Sequence, residues 1–151
     1  MKITKINTYH AGDGRRNNIF IEVETDEGIT GTGEAYSIGP DKSVIAMLEE
    51  MESWFVGQDP SRIEWLIRRA KNTMRFPLGQ VGWSAISAID IALWDIAGKV
   101  AGVPVYVLLG GKTRDKVRVY HAIYGDSPHR LAENAQQLIE EGYSAFKTSP
   151  V

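Results

Sequence analysis

The sequence predicts an α+β unit, a three-stranded antiparallel meander followed by helices, and then one strand–helix–strand unit. Three observations carry this. Apolar and polar residues alternate around Ile19, Ile21 and Val23, the period of a half-buried strand. From Val44 to Val100 apolar residues recur three and four apart or run nearly all round, as in core-facing and buried helices. From about residue 112 a strand pattern, a helix pattern and a second strand pattern follow one another.

Lys2 to His10 reads as the first strand, with imperfect alternation. The second strand runs around Asn18 to Glu24, Asp26-Glu27-Gly28 supplies a hairpin turn, and Ile29 to Tyr36 returns as a third strand rich in Gly and Thr. Such a meander needs helices against its apolar face. Pro40 sits where a first helical residue is tolerated, and Val44, Met47, Leu48, Met51, Trp54 and Phe55 form a stripe that Gly57 stops. Asp59-Pro60 reads as an N-cap and first-turn pair, followed by Ile63, Leu66, Ile67, Ala70 and Met74. Trp83 to about Val100 is expected to be a helix buried on most sides, ended by Gly102 and kept from resuming by Pro104. Further on, Val117, Val119, His121 and Ile123 alternate with polar or small residues as a strand. Ser127-Pro128 opens a helix carrying Leu131, Ala135, Leu138 and Ile139, and Tyr143 to Ser149 is a strand again. A crossover of this length joins parallel strands with right-handed connection. One such unit cannot close a sheet, so the second half reads as the truncated opening of a repeating α/β architecture.

Composition narrows the function. The chain has 151 residues, 43% apolar and 24% charged, with 17 Lys+Arg against 19 Asp+Glu and a formal charge of -2. That balance, without a basic run, argues against a nucleic-acid partner. The absence of cysteine excludes disulfide scaffolds, zinc ribbons and thiol catalysis. The N-terminus has no apolar signal-peptide core, and the apolar region Ala85 to Ala97, broken by Asp90 and Asp95, reads as too short to span a bilayer. A soluble, cytoplasmic chain with no membrane partner is the expectation.

The run Ala85-Ile86-Ser87-Ala88-Ile89-Asp90-Ile91-Ala92-Leu93-Trp94-Asp95-Ile96-Ala97-Gly98-Lys99, followed by Gly102-Val103-Pro104-Val105-Tyr106-Val107-Leu108-Leu109-Gly110-Gly111, resembles the signature of the mandelate racemase/muconate lactonizing branch of the enolase superfamily. Val23 to Gly28 with Gly31-Thr32-Gly33-Glu34 resembles the family's capping meander, and Gly142 to Lys147 the approach to its second barrel strand. The resemblance implies a capping domain with linker helix over residues 1–111. It makes residues 112–151 the first strand, helix and strand of a TIM-like (β/α)7β barrel. It also implies a Mg²⁺-dependent lyase or isomerase that removes a proton next to a carboxylate, the metal stabilising the enediolate. The family's metal ligands are carboxylates on the third to fifth barrel strands, so none of this chain's own residues is expected to bind the ion. The implied partner is a small carboxylate substrate such as a sugar acid, and the full-length protein is expected to be a homo-oligomer.

Several residues follow. Lys147 and Ser149 project to one face of their strand, and apolar neighbours lead us to expect a buried strand where a Lys must be paired or used. In the family this strand ends in Lys-x-Lys or a variant. Lys147 matches the first position as the catalytic candidate, a contact to the substrate carboxylate, while Ser149 stands where the second lysine is often the base. Serine has no basicity near neutral pH without an activator. Ala122 stands where mandelate racemase has a serine that contacts the carboxylate. Both departures favour acid-sugar dehydration over racemisation, epimerisation or cycloisomerisation. The loop His10 to Asn17 and the segment Tyr36 to Pro40 correspond to the capping loops over the barrel mouth, which makes Arg15, Arg16 and Tyr36 substrate-binding candidates, with Ser37 as a further hydroxyl and His10 as a weaker candidate. Tyr124, at a strand end, is a fourth binding candidate.

Asp90 and Asp95 lie about 140° apart on their helix and do not converge on one ion; Asp95 can pair with Lys99, and both acids are expected to anchor the helix to backbone or Arg groups. Glu49, Glu50, Glu52, Glu140 and Glu141 read as solvated, and His121 as a helix-side contact. Gly110-Gly111 has no phosphate-loop pattern. The competing reading is an inactive, stand-alone capping-domain fragment that acts by binding. Its apolar linker helix would then be left partly exposed.

Overall fold

In the computed structural model, residues 1–12, 17–37, 39 and 41–149 are described. The chain divides into two units, Met1–Gly111 and Lys112–Val151.

The first unit opens with β1 (Ile3–Gly12), β2 (Asn17–Thr25) and β3 (Thr30–Ala35), paired antiparallel in the order β1-β2-β3. The imperfect alternation of β1 has a physical cause. Its register with β2 slips between Ile3 and Lys5, so Ile3 and Ile6, three apart, are both buried. The turn between β2 and β3 uses Gly28 at φ 77°, where its N–H donates to Thr25 O at 3.1 Å.

Two helices, α1 (Asp41–Phe55) and α3 (Gly79–Ala101), cover one face of this sheet, α2 (Ile63–Thr73) packs against both of them, and the short α4 (Val105–Leu108) follows. Ile19, Ile21 and Val23 from the sheet meet Val44, Leu48, Met51 and Phe55 of α1, Leu66 of α2, and Ile89, Leu93 and Ile96 of α3 in one core. The glycines of β3 explain how α3 lies so close. A Cβ built on Gly31 would sit 2.0 Å from Ala92 O, and one on Gly33 2.0 Å from Ala88 O. Only glycine lets this strand touch the helix backbone. Gly102, at φ 66°, ends α3 as the sequence leads one to expect.

Four details differ from expectation. Asp59-Pro60 does not cap α2; Asp59 closes a preceding turn by accepting from the Ser61 N–H at 2.9 Å, and α2 starts at Ile63. The third helix begins at Gly79, not Trp83, its first turn closed by the Gly82 N–H donating to Leu78 O at 3.1 Å. Its 23 residues are therefore long and apolar enough to cross a membrane, but 56% of its apolar window is buried in this unit, the mark of a core helix. Glu52 is not merely solvated, since its carboxylate accepts the Ile6 N–H at 3.0 Å and ties α1 to the edge strand.

The second unit holds β4 (His121–Ala122), α5 (Pro128–Glu140) and β5 (Phe146–Lys147). Ser127 caps α5 by accepting the Arg130 N–H, with Pro128 in the first turn. The strands pair parallel, with His121 opposite Phe146 and Ala122 opposite Lys147. The ladder is much shorter than the alternation over 117–124 and 143–149 implies. Val117, Val119 and Tyr120 are exposed, and Lys147 is exposed as well, against the expectation of a buried strand. Parallel strands gain their stability from neighbours and covered faces, and a single pair has neither.

Candidate functional site

The end of the meander and the start of α1 converge on one carboxylate. Asp41 Oδ2 accepts from Asn17 Nδ2 at 2.7 Å and lies 3.4 Å from His10 Nε2, while Asp41 Oδ1 accepts the Ser37 hydroxyl at 2.7 Å. The Asp41 side chain is only 6% exposed. The Ser37 hydroxyl and then the Asn17 amide hold its carboxyl below the ordinary carboxylate range, against burial, with His10 adding to the lowering. Beside it lies a cleft of about 730 Å³ lined by Asn17, Asn18, Glu34, Tyr36, Ser37, Gly39, Asp41 and Ile91. Tyr36 is 68% exposed on its wall. The candidates Arg15 and Arg16 lie outside the described residues.

Sequence reasoning assigned the start of α1 to Pro40 and passed over Asp41 and Asn17. The available signal was a lone Asp just ahead of an apolar stripe. What it binds depends on segments 24 and 31 residues away, which spacing does not reveal.

Further along α3, Asp95 anchors the helix to the sheet. Its Oδ2 accepts the Thr32 N–H at 2.8 Å and the Lys99 ammonium at 2.8 Å, and Lys99 also donates to Thr30 O at 2.7 Å. Burial pushes the Asp95 carboxyl up, but the Lys99 ammonium and the Thr32 N–H together bring it below its ordinary value. Asp90 has no such anchor among the described residues; burial, then nearby Glu64, push its carboxyl up. Ile91, Trp94, Val105 and Leu109 border an apolar hollow of about 580 Å³ between α3 and α4, so this helix does carry an open apolar side.

In the second unit, residues paired across a ladder project to one face, so Lys147 and Ala122 stand side by side. Tyr124 is 72% exposed beyond the end of β4, its N–H donating to Asn134 Oδ1 at 3.1 Å. His121 packs edge-on against Tyr143 at 5.0 Å between ring centres. Lys147 and Tyr124 thus belong to one unit and Tyr36 to the other. Among the described residues no group of three or more His, Asp or Glu is gathered as a metal ion's ligands would be.

This fold is that of the enolase superfamily. An enolase from Pantoea ananatis with bound D-gluconate and Mg superposes with a TM-score of 0.92 at 35% identity, over 98% of this chain and 36% of that one. An enolase from Agrobacterium radiobacter with bound Na and L-malate superposes at 0.87 with 43% identity, over 99% of this chain and 38% of that one. Within the superfamily, residues 6–110 match the family described as mandelate racemase/muconate lactonizing enzyme, N-terminal domain, and the chain belongs to that family. The D-galactonate dehydratase of Variovorax paradoxus is 42% identical over 147 residues, 97% of this chain. The chain spans 38% of that relative's length.

Proposed function

We propose that the chain is the N-terminal part of a Mg²⁺-dependent sugar-acid dehydratase, with residues 1–111 as its capping domain and 112–151 as the opening of its barrel. The observation that carries the reading is the 42% identity to a D-galactonate dehydratase along 97% of the chain, across both units. The ladder of the second unit adds local support: Lys147 stands beside Ala122, with Ser149 two residues on, so this face offers one cation and no second base.

The roles follow from the residues. Lys147 holds a carboxylate oxygen of the substrate through its ammonium, while Tyr36, Tyr124, Arg15 and Arg16 meet hydroxyl groups. Magnesium, when bound by carboxylates outside this chain, supplies stabilisation of the enediolate. With no base at Ser149, proton removal falls to a group from the remainder of the enzyme, and loss of the neighbouring hydroxyl as water completes the dehydration. The enzyme is cytoplasmic and a homo-oligomer in this reading.

The test is a panel of sugar acids and hydroxy acids offered to the full-length protein with Mg²⁺, with dehydration of a sugar acid expected. Lys147→Ala is expected to cost about 2–4 kcal/mol of transition-state stabilisation, and Ser149→Ala far less. Solvent deuterium entering recovered substrate from the Lys147 side, without dehydration, would favour racemisation instead.

A further inference from the structure

An aspartate at a helix start ordinarily accepts a backbone N–H of its own first turn. Among the described residues Asp41 does something else. Both its oxygens are taken by side chains from other segments: Asn17 at the start of β2, His10 near the end of β1, and Ser37 just after β3. Asn17 and Ser37 also line the cleft, as does Asp41 itself. The groups that hold the cleft's walls together are therefore the groups that face into it. With the carboxylate only 6% exposed, its removal would leave the Asn17 and Ser37 donors without their acceptor, and the walls would part to find new partners.

We infer that Asp41 is a positioning residue, a clamp that fixes the spacing between the β1–β2 end and the segment after β3, and so sets how tightly the cleft closes on its ligand. Among the described residues the charged groups lining the cleft are Glu34 and Asp41, acceptors that suit the hydroxyl-bearing part of a sugar acid. This assignment of ligand rests on the dehydratase reading; the clamp itself does not.

Two measurements separate the two claims. Hydrogen exchange on the 151-residue chain reads the clamp directly. Asp41→Asn turns one acceptor into a donor, and the amides of residues 17, 18, 37 and 39 should exchange about tenfold faster while those of α3 keep their rates. Adding Asn17→Asp to Asp41→Asn restores a carboxylate–amide pair with the roles reversed and should recover most of the protection. Unchanged exchange in Asp41→Asn would overturn the clamp. If Asp41→Asn also strips α3 of protection, the milder Asn17→Ala and Ser37→Ala decide, each expected to loosen its own segment only, and no loosening in either would overturn it. In the full-length enzyme, KM for the sugar acid should rise about tenfold in Asp41→Asn with kcat within about twofold, the pattern of lost binding and not lost chemistry. An equal fall in kcat with KM unchanged would overturn the positioning role. A wild-type protein that binds and dehydrates no sugar acid would sink the dehydratase reading, and the exchange result alone would then decide the clamp.

Discussion

The two units carry similar sequence patterns to different ends. In Met1–Gly111 the alternating strands and striped helices close on one another, and side chains such as Ile19, Ile21, Val44, Leu93 and Ala92 are wholly removed from water. In Lys112–Val151 the patterns are as regular, yet Leu138 is the one buried hydrophobic among the described residues, while Val117, Val119, Tyr120 and Ile139 stay exposed. An antiparallel meander needs only one covered face, which its own helices supply; a parallel pair needs both faces covered and strands on either side. A hydrophobic pattern thus announces which face wants burial, and the number of neighbouring elements decides whether it gets it.

The sharpest way to break this comparison is to remove core side chains from each unit. Leu93→Ala should destabilise the first unit by about 2–5 kcal/mol, read by urea denaturation, whereas Leu138→Ala should leave that transition within about 0.5 kcal/mol. Equal losses would mean that the units fold as one cooperative body. Gly33→Ala comes next. Its Cβ would fall 2.0 Å from Ala88 O, a backbone atom that has no rotamer to escape into. About 1–3 kcal/mol or more is expected, and a loss below that range would show that the contact between β3 and α3 is looser than the geometry indicates.

A smaller effect tests the polar seam between the same two elements. Asp95→Ala removes the acceptor of the Thr32 N–H and of Lys99, and at a site about one-third exposed this should cost about 1 kcal/mol. The folded Asp95 carboxyl is held below its ordinary value, so the wild type's advantage over the variant is full above the unfolded pKa. It is lost as pH falls through the folded one. An advantage that persisted in acid would assign the cost to packing. The smallest effect on stability belongs to Lys147→Ala, on an exposed strand end. Thermal unfolding should move by no more than about 0.5 kcal/mol in equivalent stability, which would leave the activity loss expected of the full-length enzyme free of any folding contribution.

Much of the fold was readable because its signals are local. The hairpin turn at Asp26 to Gly28, the stripe of α1 and the glycine stop at Gly102 each depend on residues a few positions apart. The start of α2 was missed because it turns on a local hydrogen bond, Ser61 N–H to Asp59, that composition does not register. The short α4 was missed because Pro104, read as a stop, instead leads into a turn in which its carbonyl accepts the Val107 N–H at 2.9 Å. Of the residues lining the cleft, Tyr36 and Ser37 are singled out in the sequence only by the resemblance of their segment to the family's capping loops. Asp41 is not, since its importance lies in partners drawn from both ends of the meander.

By itself, then, the sequence determined the order and type of the main elements, the buried face of β2, and the family, because periodicity and signature residues are properties of the chain. It also determined that position 122 offers no hydroxyl and position 149 no amine, since these are Ala122 and Ser149. Tertiary structure alone decided that β3 must be glycine where α3 crosses it, that Asp41 gathers His10, Asn17 and Ser37, and that Lys147 stands open to solvent. Those facts depend on which distant segments meet and on how many neighbours each strand has. Distance in space, unlike spacing along the chain, exists only once the fold has closed.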